Sequence, residues 1–208
     1  MRKIQALTCL VLLIFMCVGC GPKTVRLTRS FDQAQAEGLM RPGKNTIIVK
    51  AFLNKPGGRG IVDCYGNPVR LIPATEMAKE RMKGYFGTDQ GGFVPLSSFA
   101  ATEFTNADPA YCQYQKEVNC GSNSVAVFKN VADGEFYVLS AVLWRLDYDS
   151  DDDEGYLLSK ISVSGGETIT VTQSHDITPP SSVGPLFGLF RIGFVNGLHP
   201  VVRVVGPR

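Results

Sequence analysis

Glu135-Phe-Tyr-Val-Leu-Ser-Ala-Val-Leu-Trp-Arg-Leu146 is the longest strand candidate in the chain, and its reading decides the fold. On an extended backbone successive side chains point to opposite faces. Phe136, Val138, Val142 and Trp144 then share one face, and Leu139, Ala141 and Leu143 share the other. A strand apolar on both faces belongs in the middle of a sheet that is covered on both sides.

Working outward, the same two-residue period recurs. Downstream of an acidic run, Gly155 to Val163 places Leu157, Ile161 and Val163 together. Gly165-Gly166 reads as a turn, and Glu167 to Ser174 alternates with Ile169 and Val171 inward and Thr168, Thr170 and Thr172 outward. Upstream, Ser124 to Lys129 alternates and Asn130-Val-Ala-Asp-Gly134 turns the chain. Residues 46–53, 61–64 and 69–72 are rich in β-branched and apolar types and give three more strands, separated by glycine- and proline-containing turns. Thr75 to Met82 holds helix formers behind a threonine N-cap. Residues 84–123 show no sustained period and read as one long loop region. The sum is an all-β chain, an antiparallel sandwich of about seven strands over residues 44–175.

The flanks differ from this core. Met1-Arg2-Lys3 precedes an apolar run from Leu7 to Val18, 12 residues long and too short for the roughly 20 that span a bilayer. That is the pattern of a signal peptide, here residues 1–19. Residues 20–43 hold scattered charges, Pro22, Gly38, Pro42 and Gly43, and read as an anchor and linker, with a short helix within 30–40 capped by Ser30 or Asp32. Residues 176–208 form an apolar tail. Basic and acidic residues nearly balance at 21 and 19, so no nucleic-acid partner is expected.

Two resemblances sharpen this reading. Cys17-Val18-Gly19-Cys20 resembles the lipobox of bacterial lipoproteins, with Cys17 where leucine is usual. The resemblance implies lipid on Cys20, and Gly21 in place of an aspartate implies residence in the outer membrane, facing the periplasm. Three further stretches resemble the carboxypeptidase regulatory-like domain, a prealbumin-like β-sandwich: Cys64-Tyr-Gly-Asn-Pro-Val-Arg-Leu-Ile-Pro-Ala-Thr75, Phe128-Lys-Asn-Val-Ala-Asp-Gly-Glu-Phe-Tyr-Val138 and Gly166-Glu-Thr-Ile-Thr-Val171. That family brings a fold and no catalytic residues. It also implies a bridge between Cys64 and Cys120; pairing of Cys112 with Cys120 stays open as the rival.

Candidate sites are few. No HExxH, GxSxG or phosphate-loop pattern occurs, and the chain is expected to be non-enzymatic and without a cofactor. His175 lies between Ser174 and Asp176, adjacent strand positions that face opposite ways, which suits a surface histidine better than a triad. Asp147 to Glu154 carries six carboxylates, but Asp152 and Leu158 stand where a calcium loop needs glycine and glutamate, so no metal site is assigned. In residues 84–123, Tyr85, Phe86, Tyr111 and Tyr114 are aromatics that can stack on a sugar. The functional expectation is a lipid-anchored envelope protein serving as a structural or protein-interaction module, with glycan or peptidoglycan binding as the alternative. The tail from Val183 to Val205 is expected to be ordered against the sandwich or an envelope partner, because seven large apolar side chains fall between Leu186 and Val195.

Overall fold

The computed structural model describes residues 22–55, 60–143 and 154–177 and the backbone of 203–205. The expected signal peptide, Cys20, Trp144, the acidic run up to Asp153, His199 and most of the tail lie outside the described residues.

Two sheets face one another. The first has the order β5(Gly91–Pro95), β10(Gly155–Val163), β9(Gly134–Val142), β4(Pro68–Pro73), β7(Lys116–Asn119), all antiparallel. In the second, β2(Asn45–Asn54) is flanked on one side by β11(Thr168–Asp176), and β12(Arg203–Val205) lies beyond β11. The other side of β2 is shared by β8(Ala126–Val131) at its start and β3(Ile61–Asp63) at its end. All seven expected strands are present, as β2, β3, β4, β8, β9, β10 and β11.

β9 has the two-sided burial its alternation predicts. Phe136, Val138 and Val142 face the second sheet, among Ile47, Val49, Leu53, Val69, Leu71, Ile169 and Val171. Tyr137 and Leu139 face the other way, into a separate core with Ile72, Met77, Met82 and Leu158. Apolar layers on both sides thus remove nearly all of this strand from water, and both β faces gain stabilisation.

The structure departs from the sequence reading in three places. First, β2 and β11 run parallel over Thr46–Asn54 and Thr168–Asp176; side-chain alternation is the same for either direction, so the sequence pattern is silent on this. Second, residues 84–123 are not one loop. They contain β5, a short helix Leu96–Ala100, β6(Thr102–Thr105), a 3-10 turn Pro109–Gln113 and β7. Third, residues 22–43 are not a free spacer. β1(Lys23–Arg26) pairs in parallel with β6, Leu27 and Ala36 are buried, and helix α1(Gln33–Met40) starts at Asp32, whose carboxylate accepts from Gln35 N–H at 2.9 Å. The tail's 203–205 segment pairs antiparallel with β11, Thr170 opposite Val205, which agrees with a tail ordered against the sandwich there.

Two buried polar side chains set the registry. Asn45 spends every donor and acceptor: its amide donates to Val131 O (3.0 Å) and Asp133 Oδ1 (2.8 Å), and its oxygen accepts from Gly166 and Glu167 N–H (2.8 and 2.9 Å). It therefore ties both turns that cross between the sheets, β8–β9 and β10–β11, to the start of β2. Gln173 does the same between the sheets. From β11 its amide donates to Val138 O (3.0 Å) and Ser159 Oγ (3.1 Å), and its oxygen accepts from Ser140 Oγ at 2.5 Å. All three side chains are sealed from water, where an unmade hydrogen bond is expensive.

Gln173→Leu should therefore cost about 1–3 kcal/mol in urea unfolding, because two serine hydroxyls lose their partner. Adding Ser140→Ala and Ser159→Ala to that variant should recover most of the loss. A Gln173→Leu protein as stable as the parent would show that the network carries no weight.

Candidate functional site

The outer face of the first sheet is roofed by helix α2(Glu76–Phe86). Thr75 starts it, its hydroxyl accepting from Ala78 N–H at 3.3 Å, and Gly87 ends it at φ 74° with its N–H on Lys83 O. Met77, Ala78 and Met82 lie on the side buried against Ile72, Tyr137, Leu139 and Leu158. The short helix Leu96–Ala100 is α3. Over α2 passes the β1–β6 ladder. Gly84 is the point of closest approach: a Cβ there would sit 2.6 Å from the Phe104 ring, while Lys23 Nζ donates to Gly84 O at 2.5 Å. Glu80, on the same helix, binds the arm after β1. Its carboxylate accepts from Thr28 N–H (2.8 Å), Arg29 N–H (3.0 Å) and the Thr28 hydroxyl.

Arg81 and Tyr85 are one helical turn apart, so they share a side of α2. Around them runs a line of rings. Tyr156 stacks on Phe99 at 4.0 Å, Phe99 on Tyr85 at 3.9 Å, and Tyr85 meets the edge of Phe104 at 4.7 Å. The Arg81 guanidinium lies over Phe104 (4.4 Å) and over Tyr111 (4.8 Å), and Phe31 closes the line against Tyr111 and Tyr114.

This arrangement borders a groove of about 310 Å³ between α2, β4, β7 and the 3-10 turn. Apolar walls come from Ile72, Tyr85 and Phe99; polar groups come from Arg70, Arg81, Gln115 and Glu117. Arg70 Nε and Glu117 Oε2 pair at 2.6 Å across β4 and β7. At the floor, Arg81 Nε and the Tyr111 hydroxyl are buried with no hydrogen-bond partner among the described residues. Burial pushes the Tyr111 phenol well above its ordinary range, with the Arg81 charge opposing that shift. Burial likewise raises Tyr85, again against Arg81. On the far side of Tyr85 a second, more open depression of about 540 Å³ is lined by Lys23, Phe86, Phe93, Ser98 and Thr102.

Of the four aromatics singled out, Tyr85 lines both depressions and Phe86 the larger one. Tyr111 is not an exposed platform: it is 5% exposed and forms floor, because Phe31 and Arg81 cover it. Tyr114 lines neither depression and donates to Glu37 Oε1 of α1 at 3.0 Å. Phe99, Arg81, Arg70, Gln115 and Glu117 were missed. The i, i+4 spacing of Arg81 and Tyr85 was the available signal, hidden because the expected helix stopped at Met82 and the observed one runs to Phe86.

Cys64 and Cys120 are bridged, with Cα atoms 5.6 Å apart, which ties the turn before β4 to the end of β7. Cys112 is a free, exposed thiol on the 3-10 turn at the groove, so the rival pairing is excluded. His175 stacks on Phe93 at 4.4 Å; burial lowers its pKa, against a smaller opposing pull from Asp176. Among the described residues no three His, Cys, Asp or Glu side chains gather as a metal site.

No family model and no curated protein matches the chain. Among solved structures, the fold is similar to that of a proposed carbohydrate binding protein from Pseudomonas aeruginosa. The TM-score is 0.54 at 20% identity, over 69% of this chain and 98% of that one. At that identity the likeness concerns the fold.

The Glu80 contact generates a pH prediction. Its bonds to Thr28, followed by those to the Arg29 and Thr28 amides, outweigh burial and hold the carboxyl below its usual pKa. A depressed folded pKa contributes stability above the ordinary carboxylate value that is lost as pH falls through the folded one. Between about pH 7 and about pH 3, amide protection at Thr28 and Arg29 should fall before that of the sheets. Glu80→Ala should show the low protection at both pH values; equal protection in both proteins would refute the arm's dependence on this carboxylate.

Proposed function

We propose that this chain is a lipid-anchored, non-enzymatic interaction module of the cell envelope whose occupant is a saccharide, bound in the groove beside α2. The carrying observation is the stacked Tyr85–Phe99 pair beside Arg81, Arg70, Gln115 and Glu117 in one concavity. Sugars present apolar C–H faces and a ring of hydroxyls. The apolar wall of Tyr85, Phe99 and Ile72 matches the first, and guanidinium, amide and carboxylate groups match the second. The groove's volume falls at the lower end of small-molecule sites, roughly 300–1,000 Å³. The fold shared with a proposed carbohydrate binding protein supports the reading. The lipobox-like Cys17-Val-Gly-Cys20 supports the anchor, in the outer membrane and facing the periplasm.

Two experiments test the two halves. On a glycan array that includes peptidoglycan fragments, the protein should select a saccharide, and Tyr85→Ala or Phe99→Ala should weaken it about tenfold, about 1.4 kcal/mol. A bare array, with an envelope protein captured instead, would replace the saccharide by a protein partner. For the anchor, Cys20→Ala should abolish acyl labelling and release the chain from membranes. Retained labelling, or fractionation of the parent with the inner membrane, would overturn that half.

A further inference from the structure

We infer that the saccharide in the groove is acidic, and that Arg81 receives its carboxylate. This rests on the saccharide reading and adds the class of sugar. The argument is one of charge. Three ionised side chains line the groove, Arg70, Arg81 and Glu117. Arg70 and Glu117 cancel in their ion pair. Arg81 is left: among the described residues no carboxylate lies within ion-pair distance of it, and its neighbours are the rings of Phe104 and Tyr111 and the uncharged phenols of Tyr85 and Tyr111. The groove therefore carries one uncompensated positive charge.

That charge is also held in place. Rings on two sides, Phe104 and Tyr111, fix the guanidinium plane, and an arginine immobilised by stacking loses little further entropy when it binds a planar anion. Arg81 Nε and the Tyr111 hydroxyl are two buried polar groups that meet no acceptor at hydrogen-bond geometry among the described residues, although the Arg81 guanidinium acts on the Tyr111 phenol. A carboxylate has two oxygens and only accepts, so it answers both the charge and the donors; a neutral hydroxyl answers neither as well. Tyr85 and Phe99 beside it give the sugar ring its apolar wall. Reaching the floor requires the Arg81 and Tyr111 side chains to shift slightly on binding, since both orphan atoms are covered in the free protein.

The test compares oligogalacturonate with the same oligosaccharide after its carboxylates are reduced to alcohols, using the purified full-length protein. The acidic form should bind at least tenfold more tightly, and the preference should shrink as salt is raised. Arg81→Gln should erase the preference while leaving binding of the reduced sugar in place. Arg81→Lys, which keeps the charge, should restore part of it, and removing the neutral pair together, Arg70→Gln with Glu117→Gln, should keep the preference. Because Arg81 is packed between rings, each variant's melting temperature is measured alongside. The salt dependence of the parent protein needs no variant. Cys112 gives the location: bound acidic sugar should slow its alkylation, read by peptide mass spectrometry. Equal affinity for the two sugars would overturn the acidic preference and keep the saccharide reading. Failure of both sugars, with no slowing at Cys112, would overturn both. Preference for the acidic sugar that persists in Arg81→Gln would move the carboxylate's receptor elsewhere.

Discussion

The structure depends on a sheet that must be hidden on both faces. Strand β9 carries large apolar residues at consecutive positions, and neither side can be left to water. One side is covered by the second sheet, as in any sandwich. The other is covered by α2 and the segments that pack on it, the two-stranded β1–β6 ladder among them. Everything from Pro73 to Asn119 follows from that need: the helix supplies Met77, Ala78 and Met82, and the strands β5 and β7 widen the sheet until the roof fits it. The N-terminal arm then completes the roof through Leu27 and Phe31.

A roof of one helix over a five-stranded sheet leaves uncovered floor beside it. The groove is that remainder. Its chemistry comes from two sources that the fold brings together: sheet residues facing outward, Arg70 and Glu117, and helix residues turned sideways, Arg81 and Tyr85. Aromatic rings do the closing where backbone cannot, and the cation among them is stabilised by the same ring faces that wall the groove. Fold and recognition surface are in this sense one construction, because the residues that finish the roof are the residues a ligand would meet.

What could be read from the sequence follows from how strongly each element repeats its period. The seven strands with clean alternation were legible, as was α2 behind Thr75. β6 and β7 were not: each has four residues, half of them exposed, and Lys116, Glu117 and Asn119 look like loop. β1 was illegible for the same reason. Gln173 was legible but unread, a polar residue in phase with Ile169 and Val171, and its phase marked it as a buried partner. Tyr85 and Phe86 were identified as aromatics near a site. The burial of Tyr111 was not, because it depends on Phe31 and Arg81, distant in sequence and joined to it only by the fold.

The ladder formed by β1 and β6 begins at Lys23, only three residues beyond Cys20. Extended backbone covers about 3.5 Å per residue, so the reach from the proposed lipidated cysteine to the first fixed residue is on the order of 10 Å. Were Cys20 lipidated as proposed, such a domain would not drift at the end of a string: it would ride at the headgroup level, with a tilt limited by its own girth against the bilayer. Lys23 also touches α2 through Gly84, so the helix beside the groove is tied to the strand that follows Cys20 in sequence. The anchor would then orient the groove as well as retain it, and a polymer lying along the membrane would meet the groove at a fixed height.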